Sequence, residues 1–434
     1  MPEMKDSGIE WVGTVPAYWK IMSNKYIMRK VKEINPIYKG ENILSLTMDG
    51  VIIRDLDAGG KMPASFDGYQ KIYPNNLLMC LFDYDVTPRC IGLIKNFGVT
   101  SPAYSQFVLK DGNSSHYYYY YYLMIDHTKE LLHLAKNLRH SFTEEQLGTI
   151  HTPVPPVEIQ DKIADYLDSK CAEIDSLHAD IEKQIDVLEQ YKKSVITEAV
   201  TKGLDPNVEM KDSGIEWIGK IPNHWEVKSI RYLISDHFSG SWGSDEKKND
   251  NDRICMRIAD FDFDKMQFKV LSNDEYTIRN YNSSEIFNKS LRIGDLLIEK
   301  SGGGDKTPVG RTVVYRLPYN ALFANFMDCI RLKDTYNIEF AKYVFFALYK
   351  RGVTNLYFNQ TTGLQNLNMS KYFREVKLPF PKYNIQREIA DYLDSKCAEI
   401  DSAIADKKKQ LEILEAYKKS LIYEYVTGKK EVSA

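Results

Sequence analysis

The sequence predicts an α+β protein in which two mixed α/β domains are separated by a pair of long antiparallel coiled-coil helices, with pseudo-two-fold symmetry. The octapeptide MKDSGIEW occurs at Met4–Trp11 and again at Met210–Trp217. A second repeat, IADYLDSKCAEIDS, occupies Ile163–Ser176 and returns unchanged at Ile389–Ser402. Each copy of this second repeat opens a stretch whose apolar residues are spaced by three and four, which is typical of a coiled coil. The chain is therefore two half-units in tandem.

The segments between the repeats predict the two mixed domains, over residues 1–155 and 204–384. Short β-rich runs alternate there with turn residues, and each domain has a helix near its end. Six consecutive tyrosines, Tyr117–Tyr122, cover every face of the first of these helices. We expect most of them to pack in the core or against another subunit rather than stack on nucleic-acid bases. The strand candidates are Asn76–Tyr84, Gly294–Lys300 and Arg311–Leu317, and the late helices are about His116–Leu138 and about Ile338–Leu348.

The long helices are predicted over residues 156–203 and 385–430. A proline-marked strand end precedes each, and a glycine ends each, Gly203 in the first and Gly428 in the second. The second mixed domain begins directly after the first helix. Parallel helices would force the chain to return along the whole helix length, whereas an antiparallel pair requires no such crossing.

Composition is that of a folded protein, with 43% hydrophobic and 12% aromatic residues in 434. There is no apolar run of bilayer length, and the amino-terminal residues lack a secretory pattern. The six cysteines form no CxxC pair, so neither a disulfide framework nor a zinc site is expected and the compartment is predicted to be a reducing cytoplasm. A net charge of −3 permits nucleic-acid binding by local patches but does not argue for it.

The sequence lacks the familiar catalytic motifs. Ser301–Thr307 has the residue types of a P-loop without its spacing. Asp295, Glu299 and Lys300 resemble a nuclease cluster, but adjacent strand residues point to opposite faces. Glu299 is therefore interpreted as a solvated residue at a strand end. A serine elbow, a histidine metal cluster, a Rossmann fingerprint and the tetrapeptide of amino-methyltransferases are all missing, so the sequence predicts a scaffold rather than an enzyme.

The repeated motifs resemble those of the specificity subunits of type I restriction–modification enzymes. The resemblance rests on the openings Asp6–Trp19 and Asp212–Trp225 (DSGIEW, then Gly, Pro and Trp) and on the repeated helix entry that ends in IADYLD. It rests also on the helix endings YKKSVI and YKKSLI, at Tyr191–Ile196 and Tyr417–Ile422. It covers essentially the whole chain and occurs twice.

This resemblance implies two target-recognition domains, each reading one half of a split, asymmetric DNA site, with the helices as spacers between them. The implied partners are double-stranded DNA, two methylation subunits, and restriction subunits with motor and nuclease activity. The chain itself is expected to be non-catalytic, with no cofactor of its own and no membrane contact. S-adenosylmethionine, ATP and magnesium are expected on the partner subunits.

Two other classes remain open from the sequence. One is a stand-alone DNA-modifying enzyme with an unrecognised site, against which the missing motifs count. The other is a coiled-coil scaffold that binds protein alone. Two divergent, β-rich inserts on one repeated frame are hard to explain for such a scaffold.

In the second domain, two segments are candidates for DNA contact. The segment Ser301–Arg311 joins two strand candidates, and its glycines allow a phosphate to approach the backbone while its cations supply charge. The segment Asn359–Asn366 is rich in amides, which pair with adenine edges. A plain hairpin or solvated loop is the alternative for each. The candidate residues are Lys300, Ser301, Gly303, Lys306, Arg311, Asn359, Gln360, Thr361, Gln365 and Asn366.

In the first domain, the candidates follow from position. Counting back from the long helices, Arg139 and His140 match Gln365 and Asn366, and Arg139 suits guanine O6 and N7. Arg89 follows the strand candidate of its domain, as the glycine-rich loop does in the second domain. Each is predicted to contact a base or a phosphate, with a solvated loop or helix cap as the alternative.

Overall fold

A computed structural model describes residues 3–57, 63–135, 140–272, 274–361 and 363–432. The chain divides into two compact units. Unit 1 comprises Met1–Lys183 with Lys407–Ala434, and unit 2 comprises Gln184–Asp406.

Unit 1 begins with short antiparallel strands and continues into helices that follow them in the chain. Its strands are β1 (Met4–Asp6), β2 (Thr14–Pro16), β3 (Lys20–Ser23), β4 (Met28–Val31), β5 (Glu33–Ile34), β6 (Leu44–Thr47), β7 (Gly50–Ile53), β8 (Gln70–Ile72), β9 (Leu77–Met79), β10 (Ile91–Leu93), β11 (Gly98–Thr100), β12 (Ser105–Leu109) and β13 (His151–Val154). Its helices are α1 (Asn24–Ile27), α2 (Ser115–Thr128), α3 (Glu144–Thr149), the first part of α4 (Val157–Lys202) and the last part of α9 (Tyr383–Val426).

Unit 2 has the same sequence of elements with additions. Its strands are β14 (Met210–Asp212), β15 (Lys220–Pro222), β16 (Glu226–Ser229), β17 (Ile234–Ser239), β18 (Asp252–Met256), β19 (Phe261–Asp262), β20 (Gln267–Phe268), β21 (Ile278–Asn280), β22 (Leu296–Glu299), β23 (Thr312–Val314), β24 (Ala321–Phe323), β25 (Met327–Leu332), β26 (Phe358–Thr361), β27 (Leu364–Leu367) and β28 (Lys377–Phe380). Its helices are the last part of α4, α5 (Ile230–Leu233), α6 (Ser283–Lys289), α7 (Ile338–Lys350), α8 (Met369–Glu375) and the first part of α9.

The main sheets of the two units share one topology. In unit 1 the strand order is β10-β9-β12-β4, and in unit 2 the order β23-β22-β25-β17 forms part of a six-stranded sheet that ends in β20 and β19. The loop from β9 to β10 therefore occupies the same topological place as the loop from β22 to β23. This shared order confirms that the repeated sequence folds as a repeated α+β frame.

The long helices pair antiparallel within each unit. In unit 1, Tyr166 of α4 packs on Tyr425 of α9 with ring centroids 4.5 Å apart, and Asp175 accepts a hydrogen bond from Lys418 at 2.5 Å. The α9 residue number falls as the α4 number rises, so the two segments run in opposite directions. Unit 2 repeats the ion pair with the roles of the helices exchanged, since Lys192 Nζ lies 2.7 Å from Asp401 Oδ1.

A buried glutamine fixes the start of each long helix. Gln160 donates from Nε2 to the carbonyl of Pro155 at 2.8 Å, and Gln386 makes the same bond to Pro381 at 2.8 Å. Each glutamine also accepts from the backbone N–H that precedes the late helix of its unit, that of Ser114 or of Asn337. Both glutamines are fully buried, so the repeated motif supplies a buried amide whose donor and acceptor are both used.

Several predicted elements are shorter in the structure. The helix predicted over about His116–Leu138 ends at Thr128, because Lys129 adopts the left-handed conformation at φ 55° and a 3₁₀ turn follows. Of the strand predicted over Asn76–Tyr84, Leu77–Met79 is extended, since the chain then leaves the sheet as a loop. Five of the six consecutive tyrosines are buried, which confirms the prediction that most pack in the core.

The core of each unit is continuous with its long helices. Ile163 and Leu167 of α4 and Ile422 of α9 belong to the hydrophobic core of unit 1. All six cysteines are buried free thiols. Within the described ranges, every helix is too short or too polar to cross a bilayer.

Candidate nucleic-acid interface

The two candidate segments of unit 2 meet in space. The loop after β22 and the hairpin β26–β27 are joined by backbone hydrogen bonds from Gly302 N to Gln365 O at 3.1 Å and from Leu367 N to Lys300 O at 2.7 Å. Ser301 Oγ also donates to Asn366 Oδ1 at 2.6 Å. Segments some sixty residues apart in the chain therefore form one polar surface, which we call the loop–hairpin surface (residues 300–311, 358–361 and 363–367).

Two amides lie on the exposed face of this surface. Asn359 and Asn366 are paired directly across the hairpin, and both are exposed. Residues directly opposite in a ladder share one face, whereas their neighbours point to the other. Gln360 and Thr361 belong to the same strand, β26. An exposed pair of amides offers the donor and acceptor groups that read adenine in the major groove.

Gln365 has a different role from the one predicted for it. Its side chain is 2% exposed, and its Oε1 accepts a hydrogen bond from Val309 N at 3.1 Å. The prediction of a base contact is corrected, because a buried amide that fixes the neighbouring loop is not available to DNA. The period of two along β27 places Gln365 and Leu367 on the buried face.

Arg311 forms an ion pair with the buried Glu299. Arg311 Nε lies 2.7 Å from Glu299 Oε2 and Nη2 lies 3.1 Å from Oε1, which is a bidentate geometry. Glu299 is 2% exposed, so its interpretation as a solvated residue is wrong. Burial raises the pKa of the Glu299 carboxyl although Arg311 opposes the shift. The Arg311 guanidinium is committed to this carboxylate, and its predicted role as a free phosphate contact is corrected accordingly.

The two candidate lysines differ in their surroundings. Lys300 Nζ lies 2.6 Å from Ser239 Oγ and 2.7 Å from Oδ1 of the buried Asp328. Lys306 is exposed at the tip of the loop, with no ion pair among the residues that the structure describes. Lys306 is therefore the better candidate for a phosphate contact, because it can bind a phosphate without losing an existing ion pair.

Gly303 is required by close packing in the loop. A Cβ atom at this position would lie 2.6 Å from Val309 N and 2.8 Å from Thr307 O, whereas one at Gly304 would meet nothing within 4 Å. Neither glycine has a positive φ.

We expect Gly303→Ala to destabilise the loop by about 1–3 kcal/mol, the usual effect of overpacking, and Gly304→Ala to be nearly neutral. Hydrogen exchange of peptides spanning residues 300–311 measures the difference. Equal protection in the two variants would contradict this assignment.

In unit 1, the candidate His140 contacts the loop that carries the candidate Arg89. His140 Nδ1 lies 2.7 Å from Asp85 Oδ2, and Tyr84 N donates to His140 O at 3.2 Å. Arg89 lies half-buried beside Tyr119, where burial raises the pKa of the Tyr119 hydroxyl and the Arg89 guanidinium opposes the shift. Arg139 lies outside the described residues. The loop between β9 and β10 thus carries Arg89 and contacts His140, at the place where unit 2 carries its loop–hairpin surface.

Sequence reasoning missed the residues that position the candidate side chains Lys300 and His140. Ser239 and Asp328 position Lys300, and Asp85 orients His140. They come from other strands or loops, and no local motif marks them. The carboxylate of Asp295, which directly precedes β22, is likewise paired, with Arg331. Over the described part of the chain, no group of three or more His, Cys, Asp or Glu side chains is arranged to hold a metal ion.

Comparison with known protein families gives one match over more than half of the chain. Residues 70–187 and 268–413 match the model of the type I restriction modification DNA specificity domain. The type I restriction enzyme MjaVIII specificity subunit of Methanocaldococcus jannaschii is 27% identical over 287 residues, 64% of this chain and 62% of that protein. The StySPI specificity subunit of Salmonella potsdam is 26% identical over 138 residues, 31% of this chain and 28% of that protein. The chain thus aligns with less than two thirds of the length of these relatives.

Solved structures share the fold. A chain from a structure of an assembled type I R-M system superposes with a TM-score of 0.70 at 14% identity, covering 96% of this chain and 99% of that chain. The HsdS subunit from Thermoanaerobacter tengcongensis gives a TM-score of 0.50 at 14% identity, covering 96% and 98%. At this identity the likeness concerns the fold alone.

Proposed function

Since the chain belongs to the family of type I restriction–modification DNA specificity proteins, we propose that it is the DNA sequence-recognition subunit of a type I restriction–modification complex. In this role it binds a bipartite, asymmetric DNA site and positions methylation and restriction subunits on it. The observation that supports this most is the repeated frame. Two units with one sheet topology present different side chains at the same topological place.

The chemistry of the two surfaces supports unlike half-sites. Unit 2 offers Asn359, Asn366 and Lys306, whereas unit 1 offers His140 and Arg89. Amides suit adenine edges, and a guanidinium suits guanine or a phosphate. A site read by both units is therefore asymmetric in sequence. On the same reasoning the remaining DNA contacts are proposed at Ser301, Gln360, Thr361 and Arg139.

We propose one role for each of the four segments of the chain. Residues 1–155 and 204–384 are the two target-recognition domains, and residues 156–203 and 385–430 are the spacer helices. Two methylation subunits and the restriction subunits are the proposed partners, in the cytoplasm. S-adenosylmethionine, ATP and magnesium are proposed to bind to those partners, and this chain carries no reaction step.

Methylome mapping tests the proposal. The chain is expressed with its cognate methylation subunit in a host that lacks adenine N6 methylation, beside controls with either protein alone. We expect N6-methyladenine at one two-part motif in the pair and none in the controls. Methylation by the purified chain alone, or a continuous motif without an unspecified spacer, would contradict the proposal.

A further inference from the structure

Two exposed aromatic side chains adjoin the loop–hairpin surface. Phe326, in the turn between β24 and β25, is 48% exposed, and Trp242, after β17, is 42% exposed. The Phe326 carbonyl accepts hydrogen bonds from Lys300 N at 2.9 Å and from Ser301 N at 3.3 Å. Phe326 therefore borders the candidate DNA-contact residues directly.

Trp242 is held against the same turn. Gly240 N donates to Met327 O at 3.2 Å, and Ser241 N donates to Phe323 O at 2.9 Å. A Cβ atom at Gly240 would lie 2.3 Å from Ala324 O, so this approach requires glycine. The segment that carries Trp242 and the turn that carries Phe326 thus form one edge of unit 2.

The indole of Trp242 is fixed in place. The Arg279 guanidinium carbon lies 4.8 Å from the centre of the Trp242 ring, and Arg279 Nε donates to Trp242 O at 3.0 Å. Asp245 holds the other side of this guanidinium at 2.6 Å, and Gly243 turns the chain with a φ of +64°. A rigid, exposed aromatic side chain binds a flat partner with little loss of conformational entropy.

The surroundings favour nucleic acid over protein as the partner. The two aromatic residues adjoin Lys300, whose ammonium contacts Ser239 and the buried Asp328, and they adjoin the amide Asn366 through Ser301. Protein-binding patches are depleted in lysine at their centre, whereas DNA-binding surfaces combine cations, amides and apolar wedges. Exposed aromatic rings beside such groups stack on bases or press between base steps.

We propose that Phe326 and Trp242 are DNA-contact residues that pack against bases of the half-site read by unit 2 and raise selectivity for that half-site. This inference rests on the proposed function. It adds an apolar, shape-sensitive contact to the polar contacts of the loop–hairpin surface. Neither residue would be found from sequence alone, because the turn and the loop come together only in the folded sheet.

The test uses the complex of the full chain with its cognate methylation subunit. Phe326→Ala and Trp242→Ala are compared with Ile293→Ala, a 70% exposed apolar residue that precedes β22 at the opposite end of the strand. Binding is measured on duplexes with the intact site and with either half-site scrambled. We expect each aromatic variant to lose at least about tenfold affinity for the intact site, and the control to stay within about twofold. With the unit 2 half-site scrambled, all proteins should bind alike.

The possible outcomes distinguish a failure of the proposed function from a failure of the proposed aromatic contact alone. Wild-type complex with no preference for the intact site would overturn the proposed function and this inference with it. A clear wild-type preference, with aromatic variants that match Ile293→Ala, would overturn this inference alone. Loss of the methylation subunit from the aromatic variants, with unchanged site preference in the complex that remains, would show a protein-docking edge and also overturn it. Unchanged melting temperatures of the variants exclude misfolding as the cause of a tenfold loss.

Discussion

Arg311→Ala is expected to lower the free energy of unfolding of unit 2 by about 3 kcal/mol, the lower end of the range for a broken buried ion pair. The substitution leaves the Glu299 carboxylate, which is 2% exposed, without its bidentate partner. The lower end applies because the Arg311 side chain is still 23% exposed. Glu299→Gln is the matched control, since it removes the buried charge and leaves Arg311 in contact with solvent.

Hydrogen exchange measures this effect locally. Peptides that cover β22 and β23 should lose protection in Arg311→Ala, with peptides from unit 1 as the internal reference. Glu299→Gln should lose much less. Equal losses in the two variants would contradict the role of the unpaired charge.

The same variant has a predicted pH dependence. Burial already raises the pKa of Glu299 above its ordinary value of 4.5, and loss of Arg311 removes a group that opposes this. A carboxyl with a raised folded-state pKa binds its proton more tightly in the folded than in the unfolded state. The deficit of Arg311→Ala relative to wild type should therefore shrink as pH falls from neutral toward 4.5. A stability deficit of Arg311→Ala that grows as the pH falls would contradict this prediction.

Elements with a strong sequence period were predictable, and those fixed by tertiary contacts were less so. The long helices were predicted within a few residues because their apolar spacing runs over many turns. The strands were predicted too long, since β9, β22 and β23 contain three or four residues and stop where loops leave the sheet. The residue types within a segment do not specify at which residue its strand leaves the sheet.

In the candidate site, too, features with a local sequence signal were predictable and features fixed by tertiary contacts were not. Sequence pattern located both segments of the loop–hairpin surface, because glycine, lysine and amide clusters are local signals. It did not show that the segments touch, nor that Gln365 and Arg311 are turned inward. Burial of a polar residue depends on a partner such as Glu299 or Val309, and such a pairing is encoded across distant positions.

Lengthening both long helices by one heptad is expected to lengthen the unspecified spacer of the recognised DNA site. The insertions are placed after Lys183 and after Asp406, where α4 and α9 pass from one unit to the other. Contacts inside each unit, such as Lys192 with Asp401, are thereby kept. Seven residues preserve the phase of the apolar seam and add about 10 Å at 1.5 Å per residue.

The change in spacing follows from DNA geometry. B-DNA rises about 3.4 Å per base pair, so the preferred spacer should grow by up to about three base pairs, and by less if the helices cross the DNA axis obliquely. Four-residue insertions at the same places are the control, because they break the phase of the seam and should abolish methylation. Methylome motifs of the parent and both variants measure the result. An active heptad variant with an unchanged spacer would show that the helices do not set the distance between half-sites.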